Sequence, residues 1–292
     1  MNTYELITNK VLGMLAAGTP PWRRPWGTAG IARSIDKRPY RGINAFLLNA
    51  ASFPNPVYLT FARALSLGGH VKKGEHGLPV ILWKTDRIHD DESDDPTKMR
   101  TAFLLRHYTV FNVDQVEGLP EGTVPAIEVH THNPIPEAEA ILMGMPNPPS
   151  IEKKGGRACY FPALDMIRVP PLEHYAQPEE FYSTIYHELG HACGHVSRLN
   201  RKTIADPQPF GTPDYSREEL VAEMTAAFLC GECGIAPATL ENSAAYLAGW
   251  TKVLKEDSKA VVIAAAQAQK AADYIRNVTV EPAPELTATA AV

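Results

Sequence analysis

Two histidines and a glutamate in the middle of the chain could hold and use a divalent metal. His187, Glu188 and His191 form an H-E-x-x-H pattern within residues 178–195. Side chains four residues apart lie on one face of a helix, one turn from each other, so both imidazoles can converge on a single ion. The adjacent carboxylate can take a proton from a water molecule and return it to a leaving amine. The motif therefore predicts a metal site with Glu188 as general base.

A helix must carry this motif, and the surrounding residues favour one. Pro178 suits the first helical position, and the two glutamates after it place negative charge at the positive end of the helix dipole. An apolar face recurs at helical spacing, at Phe181, Ile185 and Leu189. The competing interpretation is that the two histidines only form hydrogen bonds, because a pattern of three fixed residues also arises by chance.

The third ligand must come from elsewhere in the chain. A hydrolytic zinc uses three protein ligands and keeps one position for water. The best candidates are Glu219 and Glu223, four residues apart among small and apolar side chains that allow close helix packing. One could bind the metal while the other holds the distal nitrogen of a histidine. Glu218 fits a solvated acidic face better, and Tyr215, just upstream, could reach a developing oxyanion.

The front of the chain is basic although the whole is acidic. Residues 1–89 contain twelve Lys and Arg against four Asp and Glu, whereas the net charge of the chain is −5. A basic front on an acidic back suggests that the front contacts a polyanion. Prolines in residues 18–26 predict a stiff, extended loop. This loop displays two tryptophans and two arginines: Trp22, Arg23, Arg24 and Trp26.

Single-stranded nucleic acid suits such a loop, because bases stack on aromatic rings and phosphates pair with cations. The alternative is that the tryptophans fill the core and the arginines are solvated. Tyr40 and Arg41 precede a helix that opens around Asn44, and they could grip a phosphate at its N-terminus. Lys72 and Lys73 lie in a basic, glycine-punctuated turn. We expect these five residues to add contacts to nucleic acid.

Composition divides the chain into two domains of an α+β protein. A proline-rich stretch predicts a linker at residues 119–150, between an N-terminal α+β domain at 1–118 and a C-terminal domain at 151–278. Residues 279–292 have the composition of a disordered tail. We also expect a helix to begin at Tyr58–Thr60 and a long helical stretch to fill residues 240–276.

Two short extended runs precede the motif helix, and such a strand often forms the edge along which an extended peptide lies. No apolar run is long enough to span a bilayer, so no membrane contact is expected. The four cysteines are too few for a disulfide framework, which favours a reducing, cytoplasmic environment.

In combination, these motifs resemble the ArdC-type antirestriction proteins. The stretches GTPPWRRPW, YRGIN and KKGEHG are similar to the N-terminal domain of that family, which also stands at the front of certain plasmid-transfer primases. The stretches HELGH, GHVSRLNR and EELVAE are similar to its zincin-type metallopeptidase domain. The resemblance implies a front domain that binds single-stranded DNA. It also implies a plasmid-encoded protein that protects incoming DNA from host restriction during conjugation.

The E-x-x-x-E pattern further resembles gluzincin peptidases, which makes Glu219 the metal ligand and Glu223 the residue that orients a histidine. The expected cofactor is then Zn²⁺, or another divalent cation such as Mn²⁺, held by His187, His191 and Glu219. The expected partners are single-stranded DNA and a host protein cleaved as substrate. The alternative is a DNA-binding shield without catalysis, in which the metal is structural.

Overall fold

A computed structural model describes most of the chain and shows mixed helices and strands in two domains. It covers residues 2–17, 32–51, 53, 55–89, 99–124, 134–175, 177–205, 212–235 and 244–279. The loop predicted to display Trp22, Arg23, Arg24 and Trp26 lies outside the described residues, as does nearly all of the predicted tail. The predicted fold class, an α+β protein of two domains, is confirmed.

The N-terminal domain is built on a four-stranded sheet. Its elements are α1 (Thr3–Ala16), β1 (Arg33–Ser34), α2 (Ile43–Asn49), β2 (Val57–Thr60), α3 (Phe61–Ser66), β3 (His70–Val71), β4 (Leu78–His89), β5 (Met99–Asn112) and β6 (Val116–Glu117). The sheet has the order β1-β2-β5-β4, and β3 pairs with β6 separately. Strands β4 and β5 form a long antiparallel hairpin, in which Leu78 faces Val110. The hairpin therefore ends the sheet at β4.

Strand β2 stands where we expected the start of a helix. Val57, Tyr58 and Leu59 are buried on both faces of the sheet, which fits a central strand. The helix begins only after Thr60, whose hydroxyl accepts a hydrogen bond from the backbone N–H of Arg63 at 3.1 Å. The expectation was wrong because an apolar run this short does not distinguish a buried strand from a helix.

The C-terminal domain contains a small sheet and the long helices. Its elements are α4 (Pro134–Gly144), β7 (Ser150–Lys153), β8 (Cys159–Phe161), β9 (Met166–Val169), α5 (Pro178–Ala192), α6 (Lys202–Ala205), α7 (Pro213–Cys233), α8 (Ala244–Glu256) and α9 (Ala260–Ile275). The sheet has the order β7-β9-β8, so β8 is an edge strand. Among the helices of the described ranges, none is both long and apolar enough to cross a membrane.

One hydrophobic core joins the two domains. The ring of Phe46 on α2 stacks on that of Phe228 on α7, with ring centroids 4.4 Å apart. Helix α1 packs against α8 and α9, and the hydroxyl of Thr8 donates to the carbonyl of Ser258 at 2.7 Å. The segment predicted as a linker includes α4, whose Ala138 is fully buried in this same core. Both domains thus contribute to the core in which the helices with the H-E-x-x-H motif and the two glutamates are packed.

Candidate metal centre

Helix α5 presents the H-E-x-x-H motif from a buried position. It begins at Pro178, as the sequence predicts, and its apolar face is almost completely buried: Phe181, Ile185 and Leu189 are each 1% exposed. His187 and Glu188 are each 8% exposed. Polar side chains at such depth need partners, because burying an unpaired polar group costs free energy.

A glycine inside the motif lets α7 approach α5 closely. A Cβ atom placed on Gly190 would lie only 2.9 Å from the Cα atom of Ala222, which is shorter than real contacts allow. Glycine at this position therefore sets the distance between the two helices. Glu219 lies three residues before Ala222, so the close approach carries its carboxylate to the motif.

Three ligand atoms converge between α5 and α7. The Nε2 atoms of His187 and His191 lie 3.2 Å apart. The carboxylate of Glu219 lies 3.4 Å from Nε2 of His187 and 3.5 Å from Nε2 of His191. All three ligand atoms lie within 4.8 Å of one another. This is the set of side chains that the sequence and the family resemblance nominate as metal ligands.

The arrangement suits a divalent cation. Two imidazole nitrogens and one carboxylate oxygen are ligands that zinc prefers, and the three atoms lie close enough together to share one ion. Burial lowers the pKa of His187, but the carboxylates of Glu219 and Glu188 together outweigh it, so the pKa is raised. Burial likewise opposes the charge of Glu219, yet the two histidines hold the pKa of that carboxyl well below its usual range. The centre therefore stabilises positive charge beside an ionised carboxylate.

Glu218 orients His191, contrary to its expected place on a solvated face. It is only 6% exposed, and its Oε1 lies 3.3 Å from Nδ1 of His191. Arg201, which follows α5, donates through Nε to the other carboxylate oxygen at 3.2 Å, and the hydroxyl of Thr203 donates there as well. Arg201 also donates to the carbonyl of Gly190 at 2.6 Å. These partners offset the burial of Glu218, whose pKa is lowered despite burial because it faces His191 and Arg201.

Glu223 faces the other histidine at a longer distance. Its Oε1 lies 3.9 Å from Nδ1 of His187, beyond hydrogen-bond length. That Nδ1 atom is buried and has no hydrogen-bond partner within the described part of the chain. The orienting role of Glu223 stays a prediction. A small movement of its side chain would bring the carboxylate within hydrogen-bond distance of His187.

Replacing Glu218 by glutamine should weaken metal binding by about 10- to 100-fold, the usual cost of losing the carboxylate behind a ligating histidine. Glutamine keeps the shape but loses the charge that faces His191 and Arg201. Competition with a chromophoric chelator measures the affinity. The matched control is Glu173→Gln, the same change at an exposed position, which should bind metal like the unmodified protein. Equal affinities for both variants would refute the orienting role of Glu218.

The remaining predicted catalytic residues lie on the same two helices. Glu188 follows the first histidine ligand directly. Tyr215 is half-buried on α7, one turn before Glu219. Strand β8 packs against α5, and burial together with the negative charge of Glu188 raises the pKa of Cys159 on that strand.

An ion pair between a buried arginine and a partly exposed aspartate ties the edge of the small sheet to the end of α5. The side chain of Arg198 is fully buried, and its Nη1 donates to Oδ2 of Asp165 at 3.0 Å, in the turn between β8 and β9. Its Nε donates to the carbonyl of Ala192, the last residue of α5, at 2.8 Å. The hydroxyl of Tyr160 on β8 also donates to Asp165 at 2.9 Å. These bonds fix β8 relative to the metal helix.

Asp165→Asn should destabilise the protein by about 2–3 kcal/mol at neutral pH, because it leaves a buried arginine without its charge partner. Burial opposes the charge of Asp165, but Arg198 and Tyr160 lower the pKa of its carboxyl below the ordinary value. Its contribution is therefore fully present above the unfolded pKa of about 3.9 and is lost as pH falls through the folded pKa. Urea unfolding should show that the difference in the free energy of unfolding between the variant and the unmodified protein becomes smaller as the pH is lowered. A difference independent of pH would contradict this assignment.

The residues predicted to contact nucleic acid differ in their surroundings, as far as the structure describes them. Arg41 pairs with Asp273 of α9 at 2.5 Å. Asn44 uses its side chain to bond both backbone groups of Ile81, which covers the open edge of β4. Tyr40 is half-buried beside Tyr58, and two exposed lysines occupy the turn after β3: Lys72 and Lys73. Lys72 also donates a hydrogen bond to the carbonyl of Asp114 at 2.8 Å, so at least three of these side chains already have structural partners.

Each of the two domains matches a known protein family. Residues 1–111 match the N-terminal domain of anti-restriction factor ArdC, and residues 136–267 match a zincin-like metallopeptidase domain. Two relatives from Escherichia coli named DNA primase TraC are 34% and 33% identical over 93% of this chain. The chain spans only 20% and 27% of the length of those primases. The uncharacterized protein y4eC of Sinorhizobium fredii is 30% identical over 93% of this chain and 91% of its own length.

Two solved structures share the whole architecture. They are the metal-free and the Mn(II)-bound crystal structures of the antirestriction protein ArdC from plasmid R388, each with a TM-score of 0.77. Their sequences are 30% and 32% identical to this chain, and the matches cover 96% and 95% of it and 100% and 98% of the respective structures. The chain therefore belongs to the ArdC family of antirestriction proteins, with an ArdC-type N-terminal domain followed by a zincin-like metallopeptidase domain.

Proposed function

We propose that this protein binds single-stranded DNA through its basic N-terminal domain and cleaves a host protein at a metal centre in its C-terminal domain. It would thereby protect DNA that enters the cytoplasm by conjugation from restriction. The observation that carries the enzymatic half is the convergence of His187, His191 and Glu219 within 4.8 Å between two buried helices. A fold shared with other proteins does not by itself imply an activity, so the meeting of three ligand atoms is separate support for one.

The chemistry follows from the side chains around that centre. When bound, a divalent cation supplies a Lewis acid that polarises a peptide carbonyl, and zinc best suits this ligand set, with Mn²⁺ as the second candidate. Glu188 accepts a proton from the attacking water and passes it to the leaving amine. Tyr215 donates a hydrogen bond to the oxygen that becomes negatively charged. Glu218 and Glu223 keep the imidazoles in orientation.

Strand β8 offers a place for the substrate backbone. It forms one of the two edges of its sheet, and no strand of the described chain pairs with its outer side. An extended peptide can add to such an edge through main-chain hydrogen bonds, independently of its sequence. Helix α5 packs directly against β8, so a peptide bound there would pass the motif.

The N-terminal domain supplies the contact with DNA. Its excess of lysine and arginine attracts phosphate, and the same domain matches relatives that are named DNA primases. Fluorescence anisotropy with a short labelled oligonucleotide tests this half, in single-stranded and duplex form over a range of salt concentrations. We expect tighter binding to the single strand, with the logarithm of affinity falling linearly with the logarithm of salt concentration. Equal affinity for both forms at every salt concentration would refute it.

A second candidate is a DNA-binding shield in which the metal only stabilises the fold. The depth of the centre favours it, because the side chains of His187 and Glu219 are only 10% and 9% exposed, and closed sites are typical of structural metals. The two candidates differ in their response to the loss of the general base.

A further inference from the structure

The first part of the β4–β5 hairpin packs against a hydrophobic core on each of its two faces. Ile81 and Leu105 belong to the face that packs into the core shared by both domains. Trp83 lies on that same side, 6.2 Å from the ring of Tyr4 on α1. The metallopeptidase domain and α1 therefore occupy this side of the hairpin, whereas Val80 and Tyr108 on the opposite side belong to a second, smaller core. Beyond Val80, the side chains of the opposite side that the structure describes are half-buried or exposed.

Pairing within the hairpin defines the residues of the opposite side. Residues directly across an antiparallel ladder point to the same face. The pairs are Val80 with Tyr108, Leu82 with Arg106, and Lys84 with Leu104. We call the outer part of this surface the hairpin face; it consists of Leu82, Lys84, Leu104, Arg106 and Tyr108.

The hairpin face combines cations with half-buried apolar side chains. Lys84 and Arg106 are exposed, whereas the other three members are half-buried. Tyr108 packs against the same small hydrophobic cluster as Tyr40. Among the described side chains, no carboxylate pairs with either cation of the face, whereas the exposed Arg63 pairs with Asp36.

The spacing of the two cations suits a chain of phosphates. Lys84 and Arg106 are diagonal neighbours on the paired strands β4 and β5. Residues in this relation lie about 7–8 Å apart. Both side chains are long and flexible enough to reach successive phosphates. The leucines and the tyrosine between and beside them offer an apolar floor, which unpaired bases can contact and stacked duplex bases cannot.

We propose that the hairpin face is the surface on which this protein holds single-stranded DNA, with Lys84 and Arg106 pairing phosphates and Tyr108 contacting a base. This inference rests on the proposed DNA-binding function and adds to it residues that the sequence motifs did not nominate. It also explains how DNA can be bound while Arg41 and Asn44 serve structural contacts.

The test is the salt dependence of binding of a short labelled single-stranded oligonucleotide. The double variant Lys84→Ala/Arg106→Ala should bind about tenfold more weakly at low salt, and its slope against salt should be shallower by about 1.4, or about 0.7 for each lost phosphate contact. The matched control is Lys252→Ala/Lys255→Ala, which removes two exposed lysines from α8 and should leave the slope unchanged. Far-UV circular dichroism confirms that both variants are folded.

The outcomes separate the inference from the proposed function. Failure of the unmodified protein to bind the oligonucleotide would overturn the DNA-binding function itself. Binding by the unmodified protein with an unchanged slope in the double alanine variant would overturn the hairpin face alone. A charge-conserving pair, Lys84→Arg/Arg106→Lys, should keep the original slope, and a slope as shallow as that of the alanine pair would contradict phosphate pairing.

Discussion

Glu219→Ala should abolish tight binding of a divalent metal while leaving the protein folded. Within the described part of the chain, the carboxylate supplies one of the three ligand atoms that meet between α5 and α7, and its loss leaves two histidines facing each other. We expect metal affinity to fall by more than about 100-fold, since removing even a residue behind a ligand costs about 10- to 100-fold. Elemental analysis after dialysis against metal-free buffer measures the bound metal directly.

The companion variant Glu223→Ala decides between the two glutamates of α7. If Glu219 is the ligand, the Glu223 variant retains metal with at most a moderate loss of affinity, because its Oε1 lies 3.9 Å from His187. The control Glu256→Ala removes an exposed carboxylate from α8 and should retain all bound metal. Full metal content in the Glu219 variant together with its loss in the Glu223 variant would reverse the assignment.

Glu188→Gln should remove hydrolysis without removing the metal. Glutamine cannot accept a proton, and a positioned general base contributes roughly 10²- to 10⁴-fold to the rate. Glu188 is not among the three converging ligands, so the metal content should match that of the unmodified protein. Binding to single-stranded DNA should also be unchanged, because the motif lies in the other domain. Fluorescently labelled casein serves as a general substrate for the rate measurement.

The same variant separates the peptidase from the shield. Antirestriction activity that falls in parallel with hydrolysis supports a proteolytic mechanism. Antirestriction activity that survives the loss of hydrolysis supports a DNA-binding shield with a structural metal. Hydrolysis at the original rate would mean that Glu188 is not the general base.

The motif helix could be predicted from the sequence because its signals are local. Pro178 marks the start of α5, and the spacing of Phe181, Ile185 and Leu189 gives its buried face. The small residues around Ala222 likewise indicate a close helix contact, which the structure shows opposite Gly190. Local patterns of this kind predict elements and faces well, since they depend on the geometry of a single helix.

The partner of His191 could not be predicted in the same way. Glu218 accepts a hydrogen bond from Arg201, which lies outside α7. The helical spacing of residues within α7 gives no indication of this contact. In the structure, α7 is buried on nearly all sides, although its first half carries several charged residues. Two consecutive glutamates in such a helix must both be compensated, so neither could lie on a solvated face.

The joining of the two domains was also beyond sequence reasoning. Composition changes in the proline-rich stretch after β6, yet α4 from that stretch packs into the core through Ala138. Arg41 looked available for phosphate, but it pairs with Asp273, far along the chain. Contacts between residues this distant depend on the assembled fold rather than on local propensity.

Diffraction from crystals grown with Zn²⁺ or Mn²⁺, measured at the absorption edge of the metal, tests the central claim most directly. We predict one strong anomalous peak between α5 and α7. It should lie about 2.0–2.2 Å from Nε2 of His187, Nε2 of His191 and a carboxylate oxygen of Glu219, as expected for zinc. A peak at any other position, or a metal at the two histidines with Glu219 turned away from it, would contradict the account.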